Sequence, residues 1–189
     1  MLLFVFGGKF VSFYREKEYI RDQRVRKIVF TALIASLYAV LTLVSASFGL
    51  SYSGIQIRIS EALTILPVFT PYAITGLTIG CFISNLGSPF GIADIVFGTL
   101  ATFISAVLTR SLSNIRVMGV PILAPLPPVV VSAVFVGAII SFFMPEGFTI
   151  MAFLTTALSI AIGQFISCYG LGMLMFFVLK DNKYIKRMR

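Results

Sequence analysis

The sequence predicts an all-α integral membrane protein with six transmembrane helices, on three observations: its hydropathy, the spacing of its apolar runs, and the placement of its basic residues. Of 189 residues, 58% are hydrophobic and only 12% charged, and the mean hydropathy is +1.01, a composition unlike the mixed surface a soluble domain shows to water. A helix needs about 20 apolar residues to cross a bilayer, so the chain has room for roughly six or seven crossings and none for a soluble catalytic domain. The net charge of +8 comes from 15 Lys and Arg residues gathered in two end segments and one internal loop, which is a topology pattern and not a nucleic-acid footprint.

Taken in order, residues 1–27 form a basic cytoplasmic or interfacial segment. Its apolar start, MLLFVFGGKFVSFY, is broken by Gly7, Gly8 and Lys9 and has no small-residue cleavage site after it, so it reads as a segment lying on the membrane and not as a cleaved signal. Residues 28–179 are the transmembrane domain. Its first span runs from about Ile28 to Phe48, and its last from about Thr149 to Leu179. Ile92 to Thr109 makes another, and Pro128 to Phe143 a further one that opens after the prolines at 121, 125, 127 and 128.

The stretch Ile59 to Leu86 is one long helix or two short ones, because Pro67 and Pro71 each remove a backbone donor and disfavour helix before them. Charge decides. Basic residues crowd both the segment before the first span and the tail, residues 180–189, so both ends are cytoplasmic and the span count is even. Six spans leave only Arg58 of the 15 basic residues on the outer side, and the stretch is therefore two short helices.

With that topology, Glu61, Asp94 and Glu146 fall near the outer face, where Gln56, Arg58 and Asn85 could converge with them on one pocket. Ionisable groups at membrane depth are costly and usually functional. Gln56, Arg58 and Ser60 alternate with isoleucines, which suits an extended outer loop. The structural alternatives are an Arg58–Glu61 pair that lowers its own burial cost and an Asp94 that serves as a helix N-terminal acid. Gln164, in the last span, is a buried amide in need of partners, from a ligand or another helix. In the first span Thr31, Ala35 and Ala39 recur every four residues and form a smooth stripe for close helix contact, with a partner or with a neighbouring span.

Several chemistries are excluded. The chain has no histidine and no tryptophan, so no imidazole base or His-based metal site exists. No phosphate loop, nucleophile elbow, zinc motif or CxxC occurs; no catalytic residue, metal or cofactor is assigned, and Cys81 and Cys168 read as packing residues. Energy for active transport must come from a partner or an ion gradient.

The run QIRISEALTILPVFTPYAITGLTIGCFISNLGSPFGIADIVFGTLAT, Gln56 to Thr102, with LAPLPP (Leu123 to Pro128) and SIAIGQFISCYGLG (Ser159 to Gly172), resembles the QueT family of substrate-binding (S) components of energy-coupling factor transporters. The resemblance implies a six-helix fold of the plasma membrane in bacteria. It also implies a queuosine precursor, a 7-deazaguanine base, as ligand, and a transmembrane coupling protein with two ATPase subunits as partners. The coupling protein would meet the stripe at Ala35 and Ala39. Glu61 or Asp94 would accept from the guanine-like edge, and a ligand with an aminomethyl group would bring a cation to the second carboxylate. Arg58, Gln56, Asn85 and Gln164 would meet the carbonyl and ring nitrogens, and Tyr52 and Tyr169 would stack on the base.

The chain departs from the family pattern where Ser132 and Thr155 or Thr156 replace expected asparagines and Ala93 replaces a glycine, which leaves another purine-like or vitamin-like ligand open. Outside this family, the rival reading is an ion-coupled secondary transporter, for which a mid-span ionisable residue and an internal repeat are expected.

Overall fold

In the computed structural model, residues 2–49, 57–145 and 147–182 are described, with side chains from residue 24 onward. These residues form six helices: α1 (Leu2–Ser47), α2 (Ile59–Val68), α3 (Tyr72–Asn85), α4 (Asp94–Leu112), α5 (Leu126–Phe142) and α6 (Ile150–Leu179). Arg24–Ser47 of α1, all of α4 and all of α6 are long and apolar enough to cross a membrane, while α2 and α5 are shorter apolar helices. Extended pairing among the described residues is limited to the Val117–Val120 bridge in the loop between α4 and α5.

The ambiguous central stretch is two helices, broken at Phe69–Pro71. Pro71, which cannot continue a hydrogen-bonded helix, stands immediately before α3. The ten residues of α2 are wound as a 3₁₀ helix, whose rise of about 2.0 Å per residue carries a short segment further than α-winding would. Nine of those ten are buried, so α2 is a central post enclosed by the other helices. That enclosure lets a tightly wound, proline-containing segment exist at membrane depth, where lipid would not satisfy its backbone.

Small residues set how close the helices come. A methyl group at Gly80 of α3 would stand 2.7 Å from the Ala35 carbonyl oxygen and 2.8 Å from Tyr38 Cβ, and one at Gly76 would stand 2.9 Å from the Thr31 carbonyl oxygen. Ala35 and Ala39 are buried. Of the two contacts open to the α1 stripe, the structure therefore makes the one within the chain. Ile34, Tyr38, Leu63, Leu66, Leu77 and Ala106 form the main apolar core beside it, and Ile65, Val68, Ala124 and Phe176 tie α2 to α6.

The helices α4 and α6 each contain wide π turns, over Asp94–Gly98 and Ile166–Gly172. Insertions of this kind turn the register of a helix locally and recur at functional sites. Here they fall beside the polar interior.

Candidate functional site

Arg58 holds an extended backbone conformation (φ −106°, ψ 113°) just before α2, as alternation around it predicts, but Ser60 already belongs to the helix. Arg58 and Glu61 thus stand at the head of the buried post, with 9% and 4% of their surfaces exposed. Together with Gln164 of α6, Gly98 and Thr102 of α4, and Ser132 of α5, they line one enclosed cavity. Four helices and the entry to α2 contribute to it.

The cavity is only about 10 Å³, the room one water takes. A larger space of about 490 Å³ between α4 and α5 is walled by residues such as Phe97, Val134, Phe135 and Phe142 and has no polar side chain in its lining, so it offers nothing to orient a polar ligand.

Several polar groups in and around the small cavity are held from behind. The Tyr38 hydroxyl of α1 donates to Glu61 Oε1 at 2.7 Å, and Gln164 lines the same cavity as that carboxylate. No ion pair joins Glu61 to Arg58 among the described residues; tyrosine, not arginine, grips the carboxylate. One turn along α1, Thr42 donates to Ser60 Oγ at 2.8 Å, and Ser45 Oγ accepts from the Ile59 amide at 3.1 Å. Polar side chains at 38, 42 and 45 thus form a helical stripe that fixes the head of α2.

Behind Gly98 lies a second polar group. Asn85 at the end of α3 donates to the Asp94 carbonyl at 3.0 Å, and Ser88 donates to Asp94 Oδ2 at 2.6 Å. Neither Asp94 oxygen accepts a backbone N–H among the described residues, so it does not act as a helix cap. Arg58 lies within electrostatic reach of both Asp94 and Glu61.

The two cysteines are buried free thiols, and they are part of this polar interior. Cys81 Sγ accepts from Thr102 at 3.1 Å, and Cys168 Sγ donates to Gln164 Oε1 at 3.5 Å. Thiols do more here than fill space.

The structure thus brings Arg58, Glu61 and Gln164 to one cavity and sets Asn85 and Asp94 against its wall. Tyr169 is elsewhere: its hydroxyl donates to the Ile122 carbonyl at 3.0 Å, and its ring stacks on Phe165 at 4.6 Å. Cys168, four residues after Gln164, faces Glu61, and the next position turns away from it by about 100°. Gln56, Tyr52 and Glu146 lie outside the described residues. Reading the residues alone missed Tyr38, Ser88, Gly98 and Thr102. The spacing of Tyr38, Thr42 and Ser45 on an otherwise apolar helix is the signal that could have found the first.

A bundle of apolar helices around a small internal set of charged and amide groups is the architecture of a membrane protein with a buried polar site. The family model described as QueT transporter matches residues 28–181, and the chain belongs to that family. A curated relative, "Queuosine precursor transporter QueT" from Lactococcus lactis subsp. cremoris, is 36% identical over 85 residues, which are 45% of this chain and 50% of the relative. The chain therefore spans about half the length of that curated relative. No solved structure matches.

Proposed function

We propose that this chain is the substrate-capture membrane subunit of an ATP-driven importer for a queuosine precursor, a 7-deazaguanine base. The observation that carries the reading is the convergence of Arg58, Glu61 and Gln164 on one buried cavity, inside a chain of the QueT transporter family whose curated relative is named for a queuosine precursor. A guanine-like base presents adjacent N–H donors beside a carbonyl. Glu61, oriented by Tyr38, accepts from the donors, and Arg58 and Gln164 meet the acceptors. Asn85 and Asp94 complete the site from behind Gly98.

A cavity of about 10 Å³ admits no base until the surrounding helices part. Ligand binding is therefore coupled to opening, and a ligand can shift that equilibrium only by its preference for the open form. In this reading the chain crosses the plasma membrane six times with both ends cytoplasmic. ATP is hydrolysed on two partner ATPases joined through a transmembrane coupling protein. That protein meets α1 beside the buried Ala35 stripe, where Ala32 and Ser36 are exposed.

The test is uptake of a radiolabelled 7-deazaguanine into proteoliposomes. Accumulation that requires the coupling protein, both ATPases and ATP is the expected result. Full-rate transport by this chain alone, driven by a proton or sodium gradient, would replace the reading with the ion-coupled one.

A further inference from the structure

The loop between α4 and α5, residues 113–125, carries a tight turn far from the polar interior. Val117 and Val120 exchange backbone hydrogen bonds at 2.9 and 3.0 Å. The two residues between them, Met118 (φ 52°) and Gly119 (φ 82°), both lie in the left-handed region. A two-residue turn of this kind suits Asn-Gly or Gly-Gly. Glycine at 119 fits, whereas methionine at 118 holds a backbone conformation that is costly for a side chain with a Cβ. No contact within the chain offsets that cost, since Met118 is 98% exposed.

The turn is firmly mounted. Thr109 of α4 donates to the Ala124 carbonyl at 3.0 Å, and Pro121, Ala124 and Pro125 are buried. The second half of the loop is thus packed into the bundle while the turn projects from it. Ile115 and Val117 are exposed beside Met118, so the tip is apolar on a loop that follows directly from α4, a helix long enough to cross a membrane.

Charge indicates what covers this tip. Arg116 is exposed and is the only charged residue of the loop; its Nε donates to the Ser113 carbonyl at 3.4 Å, which holds it along the turn. The same end of the bundle carries Lys27, 5.2 Å from the centre of the Tyr72 ring, Arg110 against the end of α2, and Lys180 after α6. Among the described side chains Asp181 is the only acid there. An apolar tip set among cations at the end of a spanning helix is complementary to the headgroup boundary of an anionic leaflet.

We propose that the 115–118 turn is a membrane anchor: Met118, with Ile115 and Val117, lies among the acyl chains just below the headgroups of an anionic leaflet, and Arg116 meets a lipid phosphate. The left-handed backbone at Met118 serves to aim a long, adaptable apolar side chain away from the protein and into lipid. This anchor is independent of which ligand the cavity takes.

The chain has no tryptophan, so one introduced into the turn reports on that turn alone. Ile115→Trp in the full chain, with Met118 kept native, is reconstituted into vesicles of phosphatidylcholine and phosphatidylglycerol. With brominated acyl chains its emission is expected to fall by roughly half or more, while acrylamide in the water quenches it weakly. Adding Met118→Asp is expected to cut the bromine quenching at least about twofold and to admit acrylamide. Adding Arg116→Gln is expected to remove the difference between vesicles with and without phosphatidylglycerol. Val117→Trp, a second reporter, is expected to behave as Ile115→Trp does.

Free access of acrylamide without bromine quenching at both positions would place the turn in water and overturn the anchor. Protection from both quenchers would overturn it as well, by placing the turn against protein such as a second copy of the chain. Bromine quenching undiminished by Met118→Asp would deny Met118 its role, and equal quenching with and without phosphatidylglycerol in the parent would overturn the preference for an anionic leaflet.

Discussion

The central helix α2 has an arginine at each end, and the two are used differently. Arg110, near the end of α4, donates from one nitrogen to the carbonyls of Pro67 at 3.0 Å and Val68 at 3.2 Å. Those carbonyls are exposed by the break before α3, so Arg110 completes a helix end that has no further turn to bond. Arg58, at the other end, lies within electrostatic reach of Glu61 and Asp94 and lines the cavity. One cation closes the fold, and the other faces acids around the cavity proposed to admit the ligand. A cation packed into the bundle does not by itself mark a site; what the charge meets decides.

That contrast breaks most sharply at Glu61. Glu61→Ala is expected to weaken 7-deazaguanine binding by more than about a hundredfold, since it removes a charged acceptor and leaves the Tyr38 hydroxyl unpaired. Circular dichroism should show the helices retained. A variant that binds within a few-fold of wild type would place the ligand elsewhere.

A purely structural change of similar weight is Gly80→Val. Its side chain would have to part α1 from α3 at Ala35 and Tyr38, and overpacking of this kind costs about 1–3 kcal/mol. The expected readout is a lowered thermal midpoint in detergent, and an unchanged midpoint would contradict the close helix contact.

Arg110→Gln sharpens the comparison from the other end. Losing charge-assisted bonds to two carbonyls is expected to cost about 1.5–3 kcal/mol of stability, seen as a lower midpoint. Ligand affinity should stay within about threefold of wild type, because Arg110 meets only backbone. The smallest effect is expected from Tyr38→Phe, which keeps the packing but removes one hydrogen bond worth about 1 kcal/mol, so affinity should fall about fivefold in an isothermal titration.

How much of this could be read from sequence depends on the kind of signal. Pro67 and Pro71 act locally, through a missing donor and a clash, so the break between α2 and α3 was legible. Arg58, Glu61 and Gln164 stood out because a charged or amide group in an apolar run must find partners. Ala35 and Ala39 announced a close contact but not its other side: a smooth stripe says how near a helix can come, and only the glycines of α3 say which helix. Tyr169 was placed at the site by residue type, whereas its helical phase carries it to Ile122. Gly98 and Ser88 were invisible, since their roles arise from what surrounds them in three dimensions. The wide turns in α4 and α6 are equally a product of packing that no periodicity reports.

The most direct test of the central claim is thermal stabilisation of the purified protein by 7-deazaguanine bases, run in parallel on the wild type, Arg110→Gln and Glu61→Ala. A ligand that binds only the folded state raises its melting temperature. A rise in the wild type and in Arg110→Gln, from its lower starting point, but none in Glu61→Ala is the predicted result; an equal rise in all three would contradict binding at the head of α2.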